Sequence, residues 1–320
     1  MVVVVSNEDS GDVSIVDPAH DEVVRTVAVG KRPRGMRVSP DGKLLFVALS
    51  GSAKAGPPKN GPADDDDKGP RDDTADAIGV VDLDRGALVR TIAAGRDPET
   101  FDITPDGRQL YVSNEESATV SVVDVASGGV LRTIRVGAEP EGVTMSPDGK
   151  TVYVTSEREN AVDVISTAEQ RVIARIPTSA RPRAVALSAD GAQAYVTAEL
   201  GGKLHMIETR SRAPIGEVRT GGTDAKPMGI ALSPDGVHAY VANGRAGSIA
   251  VVDVPSRSVV RTIEHVGSRP WGVALTPDGK KLYVAAGPDL AVVDPARAAV
   301  IKRIRVGKGP WGVVVAKRAP

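Results

Sequence analysis

Ten side chains in this sequence are of the types that bind ligands or move protons, and they recur at two fixed offsets. Glu99, Glu115, Glu141, Glu157 and Glu199 carry carboxylates, the hard oxygen donors that a divalent cation such as calcium takes. Arg34 and Arg183 carry guanidinium groups suited to pairing a carboxylate or stabilising an oxyanion. Trp271, Trp311 and Met228 supply polarizable apolar surface, and an indole face also attracts a cation. Asp97 and Glu139 lie beside the acidic set in sequence. No serine stands in a nucleophile elbow, and no Ser–His–Asp ordering is visible.

The offsets come from an internal repeat. A Ser/Thr-Pro-Asp-Gly turn occurs at 39–42, 104–107, 146–149, 233–236 and 276–279, with a degenerate copy at 188–191. Pro presets φ for the second turn position, Asp suits the third, and Gly supplies the positive φ of the exit. Each turn is followed by an apolar stretch holding Phe46, Tyr111, Tyr153, Tyr195, Tyr240 or Tyr283. Each is preceded by a short Val/Ile stretch opening on x-Pro-x-Gly or a close variant. Cutting after each turn glycine gives units of 42, 65, 42, 42, 45, 43 and 41 residues. In blade 3, strands are expected at 95–104, 109–113, 119–124 and 130–136. Seven units of four short strands predict an all-β, seven-bladed β-propeller, a single domain over 1–320. The chain opens on the second strand of a unit, 2–6, and ends on a lone first strand, 311–316. The C-terminal strand is therefore expected to join the N-terminal blade and close the ring, leaving no open sheet edge.

In such a blade the first strand crosses the disc and the second returns, so both offsets fall on one face, around the channel mouth. In blade order, the residue after the entry proline is Trp311, Arg34, Glu99, Glu141, Arg183, Met228 and Trp271. The loop residue four beyond the aromatic position is Glu8, Ser50, Glu115, Glu157, Glu199, Gly244 and Gly287. A purely structural position repeats one residue type, as the turns do; these vary. The reading is an acidic arc on blades 3 and 4, flanked by Arg34 and Arg183, facing an arc of Met228, Trp271 and Trp311. The plainer alternative is a solvated ion-pair rim with tryptophans plugging the pore.

Composition narrows the function classes. Forty Lys and Arg against 41 Asp and Glu leave a net charge of −1, which does not favour nucleic acid. No apolar run approaches the ~20 residues of a membrane span. The absence of cysteine removes disulfides and thiolate chemistry, and four scattered histidines make no histidine metal site. The second unit is long because of a Pro-, Gly- and Asp-rich insertion at about 51–73. It is expected to be a surface loop, with a lid or calcium-responsive segment around the aspartates at 64–67 as the sharper reading. Aspartates that end the third strands (Asp17, Asp82, Asp124, Asp253, Asp294) are expected to be turn acceptors.

The stretches Tyr111-Val-Ser-Asn114, Tyr153-Val-Thr-Ser156, Ser121-Val-Val-Asp124 and Thr133-Ile-Arg-Val-Gly137 resemble the YVTN-repeat family of bacterial and archaeal β-propellers. Arg32-Pro-Arg-Gly35, Glu139-Pro-Glu-Gly142, Thr155-Ser-Glu157 and Pro310-Trp-Gly-Val-Val-Val315 are similar to exported propellers associated with pyrroloquinoline-quinone-dependent catabolism. That resemblance implies a periplasmic or secreted setting, the chain being a mature one without its leader. The expected function is a non-catalytic binding or interaction propeller, monomeric, taking a protein or a small cationic ligand at the mouth. The alternative is a divalent-metal-dependent hydrolase of the propeller lactonase type, its metal (calcium, for example) held by Glu99, Glu115, Glu141 and Glu157. With no such metal, no cofactor is expected. The acidic arc opposite two indoles leads to an expected preference for cationic or metal-bridged ligands over simple anions.

Overall fold

The computed structural model describes residues 1–52 and 71–316. Most of the expected insertion, with the aspartates at 64–67, lies outside the described residues. Twenty-eight strands among them form seven four-stranded sheets in a ring, and each sheet is one repeat. Blade 1 is built from both ends of the chain, in the order Pro310–Ala316, Val2–Asn7, Asp12–Asp17, Glu22–Ala28. Val3, Val4 and Val5 stand opposite Val315, Val314 and Val313 in an antiparallel ladder, which closes the ring as the sequence predicts.

The hydrophobic core is divided among the blade interfaces. Val3 and Val5 pack towards blade 7, with Tyr283, Leu290 and Val292, while Val2 and Val4 pack towards blade 2, with Leu45 and Val47. The same alternation fills every other interface. Second strands are thus buried on both faces, which is why they read as continuous apolar runs. Outermost strands such as Glu22–Ala28 are largely exposed and carry the charge.

The repeated turns act as expected. In blade 4, the Ser146 hydroxyl donates to Asp148 at 2.7 Å and accepts from the Thr151 amide at 3.0 Å, while Gly149 takes φ +70°. The third-strand aspartates accept amide hydrogen bonds from the following turn, as in Asp124 from Ser127 at 2.7 Å and Asp294 from Arg297 at 3.0 Å. That role absorbs them and leaves them outside the site.

Candidate functional site

Three local devices aim side chains into the channel. The residue before each entry proline has left-handed backbone: Arg32, Asp97, Glu139, Arg181, Lys226 and Arg269 take φ between +42° and +61°, and Gly309 takes +66°. Ladder register then shifts across the entry, between Pro98 and Phe101 in blade 3 and between Pro140 and Val143 in blade 4. A bulge of this kind turns the residue after the proline out of the sheet. The glycine that follows lets the next blade approach: a Cβ on Gly35 would lie 2.8 Å from the Glu99 carbonyl oxygen. Seven entries converge on a cavity of about 160 Å³ lined by Glu141, Arg183, Met228, Trp271 and Trp311.

The expected residues do gather on one face, but not as a bare acidic arc. They form two ionic clusters, each centred on an arginine. Arg34 Nη1 contacts Glu99, with Glu115 at 3.8 Å, and Arg34 Nε lies 3.4 Å from Glu8. Arg183 donates from Nε to Glu199 at 2.7 Å and from Nη1 to Glu141 at 2.7 Å, and Nη1 also contacts Glu157. Two further arginines, missed in the sequence reading, complete the clusters. Arg32 reaches Glu8 at 3.0 Å, and Arg181 reaches Glu157 at 2.7 Å and Glu199 at 3.5 Å. Both precede an entry proline, and the signal that could have found them is this cation position facing glutamates four residues past the aromatic. Glu99 is 1% exposed, Glu157 5% and Glu141 7%, so neither cluster is a solvated rim. Burial of these carboxylates is tolerable because each has a guanidinium partner. The premise for a preferred cationic ligand is thereby removed.

The set of four glutamates expected to hold a metal is also divided. Ligand atoms within 4.8 Å of one another belong to Asp97, Glu99 and Glu115, whereas Glu141 and Glu157 go with Arg183. Glu99 Oε2 accepts no hydrogen bond, yet the Arg34 guanidinium already contacts that carboxylate. A divalent ion would meet a fixed cation there, so this donor set does not fit a metal as it stands.

Around Arg183 the electrostatics split a carboxylate pair. Burial raises Glu157 well above its ordinary value, while Glu141 is lowered, its burial outweighed by the Arg183 charge and a hydrogen bond from Glu157. The two carboxyls are thereby driven apart, the arrangement that separates an acid from a base. Burial opposes charge on Arg183 too, but Glu141, Glu157 and Glu199 outweigh it and hold the guanidinium protonated.

On the other side, Met228 is buried and Trp271 and Trp311 are half-buried. The indole centroids lie 5.5 Å apart with planes tilted by 34°. Guanidinium groups of Arg183 and Arg269 lie 5.4 and 5.0 Å from the Trp271 centroid.

Ring and channel site define a seven-bladed β-propeller. The choice-of-anchor I domain model matches residues 2–180, and the chain belongs to that family. A second family model, the lactonase seven-bladed β-propeller, matches residues 166–293. No curated protein matches the chain significantly. Solved structures share the fold at low identity. A putative 6-phosphogluconolactonase from Bacteroides uniformis ATCC 8492 is 19% identical, with 98% of each chain covered and a TM-score of 0.78. Another, from Bacteroides fragilis NCTC 9343, is 18% identical, with 98% of this chain and 97% of that one covered and a TM-score of 0.77. Kuenenia stuttgartiensis hydrazine synthase is 24% identical over 88% of each chain, with a TM-score of 0.68.

Proposed function

We propose that this propeller is a small-molecule-binding protein that takes its ligand in the channel mouth. The observation that carries the reading is the lining of one cavity of about 160 Å³ by Trp271, Trp311 and Met228 on one side and by Arg183 and Glu141 on the other. A concave apolar wall with a few convergent polar groups is the usual form of a ligand site. The chain has two tryptophans, and both are here, so indole signals report on the site directly. Screening a metabolite library by indole chemical shift tests it: hits should move both indole signals and lose affinity in Trp271→Ala. Hits that bind with no change in either indole would refute the location. The YVTN-like motifs support an exported setting. Absence of a leader upstream in the complete reading frame would argue against it.

A second reading, lactone hydrolysis, is favoured by the Glu141–Glu157 pair and the lactonase match over residues 166–293. Ionised Glu141 lines the cavity and would take a proton from the water that attacks the lactone carbonyl, while protonated Glu157 would give its proton to the ring oxygen as the C–O bond breaks; passage of the proton from Glu141 to Glu157 along their hydrogen bond then restores both. This version needs no metal. Glu157→Gln should then abolish turnover of a δ-lactone while leaving its binding intact. Absence of turnover by the native protein across γ- and δ-lactones removes the reading.

A further inference from the structure

Blade 5 shows how the ring partners the cation that precedes an entry proline. Arg181 Nε lies 2.7 Å from Glu157 on the preceding blade and 3.5 Å from Glu199 on its own. In blade 7 that position is Arg269, and the two corresponding loop residues are Gly244 and Gly287. Both carboxylates are missing. Arg269 is exposed and forms no ion pair among the described residues; its guanidinium lies over Trp271. In blade 6 the position is Lys226, whose own loop residue is Gly244 while that of the preceding blade is Glu199; Lys226 forms no ion pair among the described residues. Its carbonyl accepts from the Gly244 amide at 2.9 Å, just as the Arg181 carbonyl accepts from Glu199 at 2.8 Å, so the backbone frame is the same. At Arg269 the aromatic half of the mouth thus keeps a cation of the ionic half and lacks both of its anions.

We propose that the ligand is a small planar anion, a ring bearing a carboxylate. Its carboxylate takes on Arg269 the place that Glu157 and Glu199 take on Arg181, and its ring lies against Trp271 and Trp311. This rests on the small-molecule reading above and names the ligand class for that site. A guanidinium–carboxylate contact is charge-assisted and suits two parallel hydrogen bonds. A cationic ligand would meet Arg269, Lys226 and Arg183, while Glu141, Glu157 and Glu199 are already bonded to arginines. The cavity of about 160 Å³ sets the size, since a cavity of about 150 Å³ takes a benzene ring.

The test titrates the full chain with benzoate, benzamide, benzylamine and acetate, following the two indole N–H signals. Benzoate should bind at least tenfold tighter than benzamide or acetate, and benzylamine should not bind. Arg269→Gln should weaken benzoate at least tenfold and leave benzamide unchanged. Gly287→Glu, whose nearest neighbours to a new Cβ lie at 3.8 Å, should do the same by supplying an internal carboxylate, and Gly287→Gln should not. Benzylamine binding tighter than benzoate, no benzoate binding, or a benzoate affinity unmoved by Arg269→Gln overturns the anion assignment. If all three aromatic probes bind equally and all lose affinity in Trp271→Ala, the mouth remains the ligand site and the anion preference alone is wrong. If binding survives Trp271→Ala for every probe, the mouth reading itself fails.

Discussion

The indole rings of Trp271 and Trp311 lie 5.5 Å apart at a tilt of 34°, although their positions are separated by a whole blade repeat. They meet because the entries of adjacent blades, with a register shift between Val5 and Asn7 in blade 1 and a first strand that starts only at Val273 in blade 7, bring them into the same cavity. Tilted aromatic pairs at this spacing contribute about 0.5–1.5 kcal/mol beyond the area they bury. A double-mutant cycle with Trp271→Ala and Trp311→Ala, read by urea denaturation, should return a coupling energy in that range. A coupling near zero would mean that the rings pack independently.

Arg34 is the fixed cation among Asp97, Glu99 and Glu115. Arg34→Ala strips a buried carboxylate cluster of its central charge and should cost about 3–5 kcal/mol. Calcium should then restore part of that loss in the variant and leave the native melting temperature unchanged. Thermal denaturation with calcium and with chelator checks both statements; a calcium shift in the native protein would show that the guanidinium does not exclude the ion.

Glu157 gives a pH dependence of definite sign. Burial raises it well above the ordinary 4.5, so the folded state holds a proton that the unfolded chain releases. The associated stability is fully present below that value and is lost as pH rises through the native one. Glu157→Gln, neutral at every pH, removes the effect. Urea midpoints at pH 5 and pH 8 should therefore fall more for the native protein than for the variant, and equal falls would mean that Glu157 is ionised in the fold.

The turn aspartates act in the opposite direction. Asp41, Asp106, Asp148, Asp190, Asp235 and Asp278 are all held below the ordinary 3.8, first by the hydroxyl two residues earlier and then by backbone amides. Stability from a depressed carboxylate is present above 3.8 and is lost as pH falls through the native value. The melting temperature should drop between pH 4.5 and pH 2.5, and an Asp106→Asn, Asp235→Asn variant should lose less over that interval. An unchanged slope would place the acid sensitivity elsewhere.

Fold and closure were legible because their causes are local and repeated. Ser146, Asp148 and Gly149 make a turn wherever their neighbours lie, and the buried run Val2–Asn7 has a partner strand after it, Asp12–Asp17, but no inner partner near it in sequence. Ring closure followed from that missing partner. The positions of the site were legible for the same reason, since the residue after the entry proline lies at a register shift in blades 1 to 6. Pairing was not legible. Whether Glu157 meets water, a metal or Arg183 depends on distances between blades and on rotamers, neither of which leaves a periodic trace. Arg32 and Arg181 precede the entry proline, a position that holds Asp97 and Glu139 in the blades between them and so fixes no charge by itself. Arg269 differs from Arg181 through two glycines elsewhere in the chain.

Ring closure also imposes an order of events when the protein is made. Val4 and Val314 face each other in the ladder, so the first strand is synthesised about 310 residues before its inner partner exists. At roughly 5–20 residues per second, that strand waits on the order of 15–60 s. During this interval six blades can assemble from neighbouring segments, but the first stays three-stranded, with a valine-rich edge open to pairing. A nascent chain of this design is therefore most prone to wrong pairing at its first blade until the closing strand arrives.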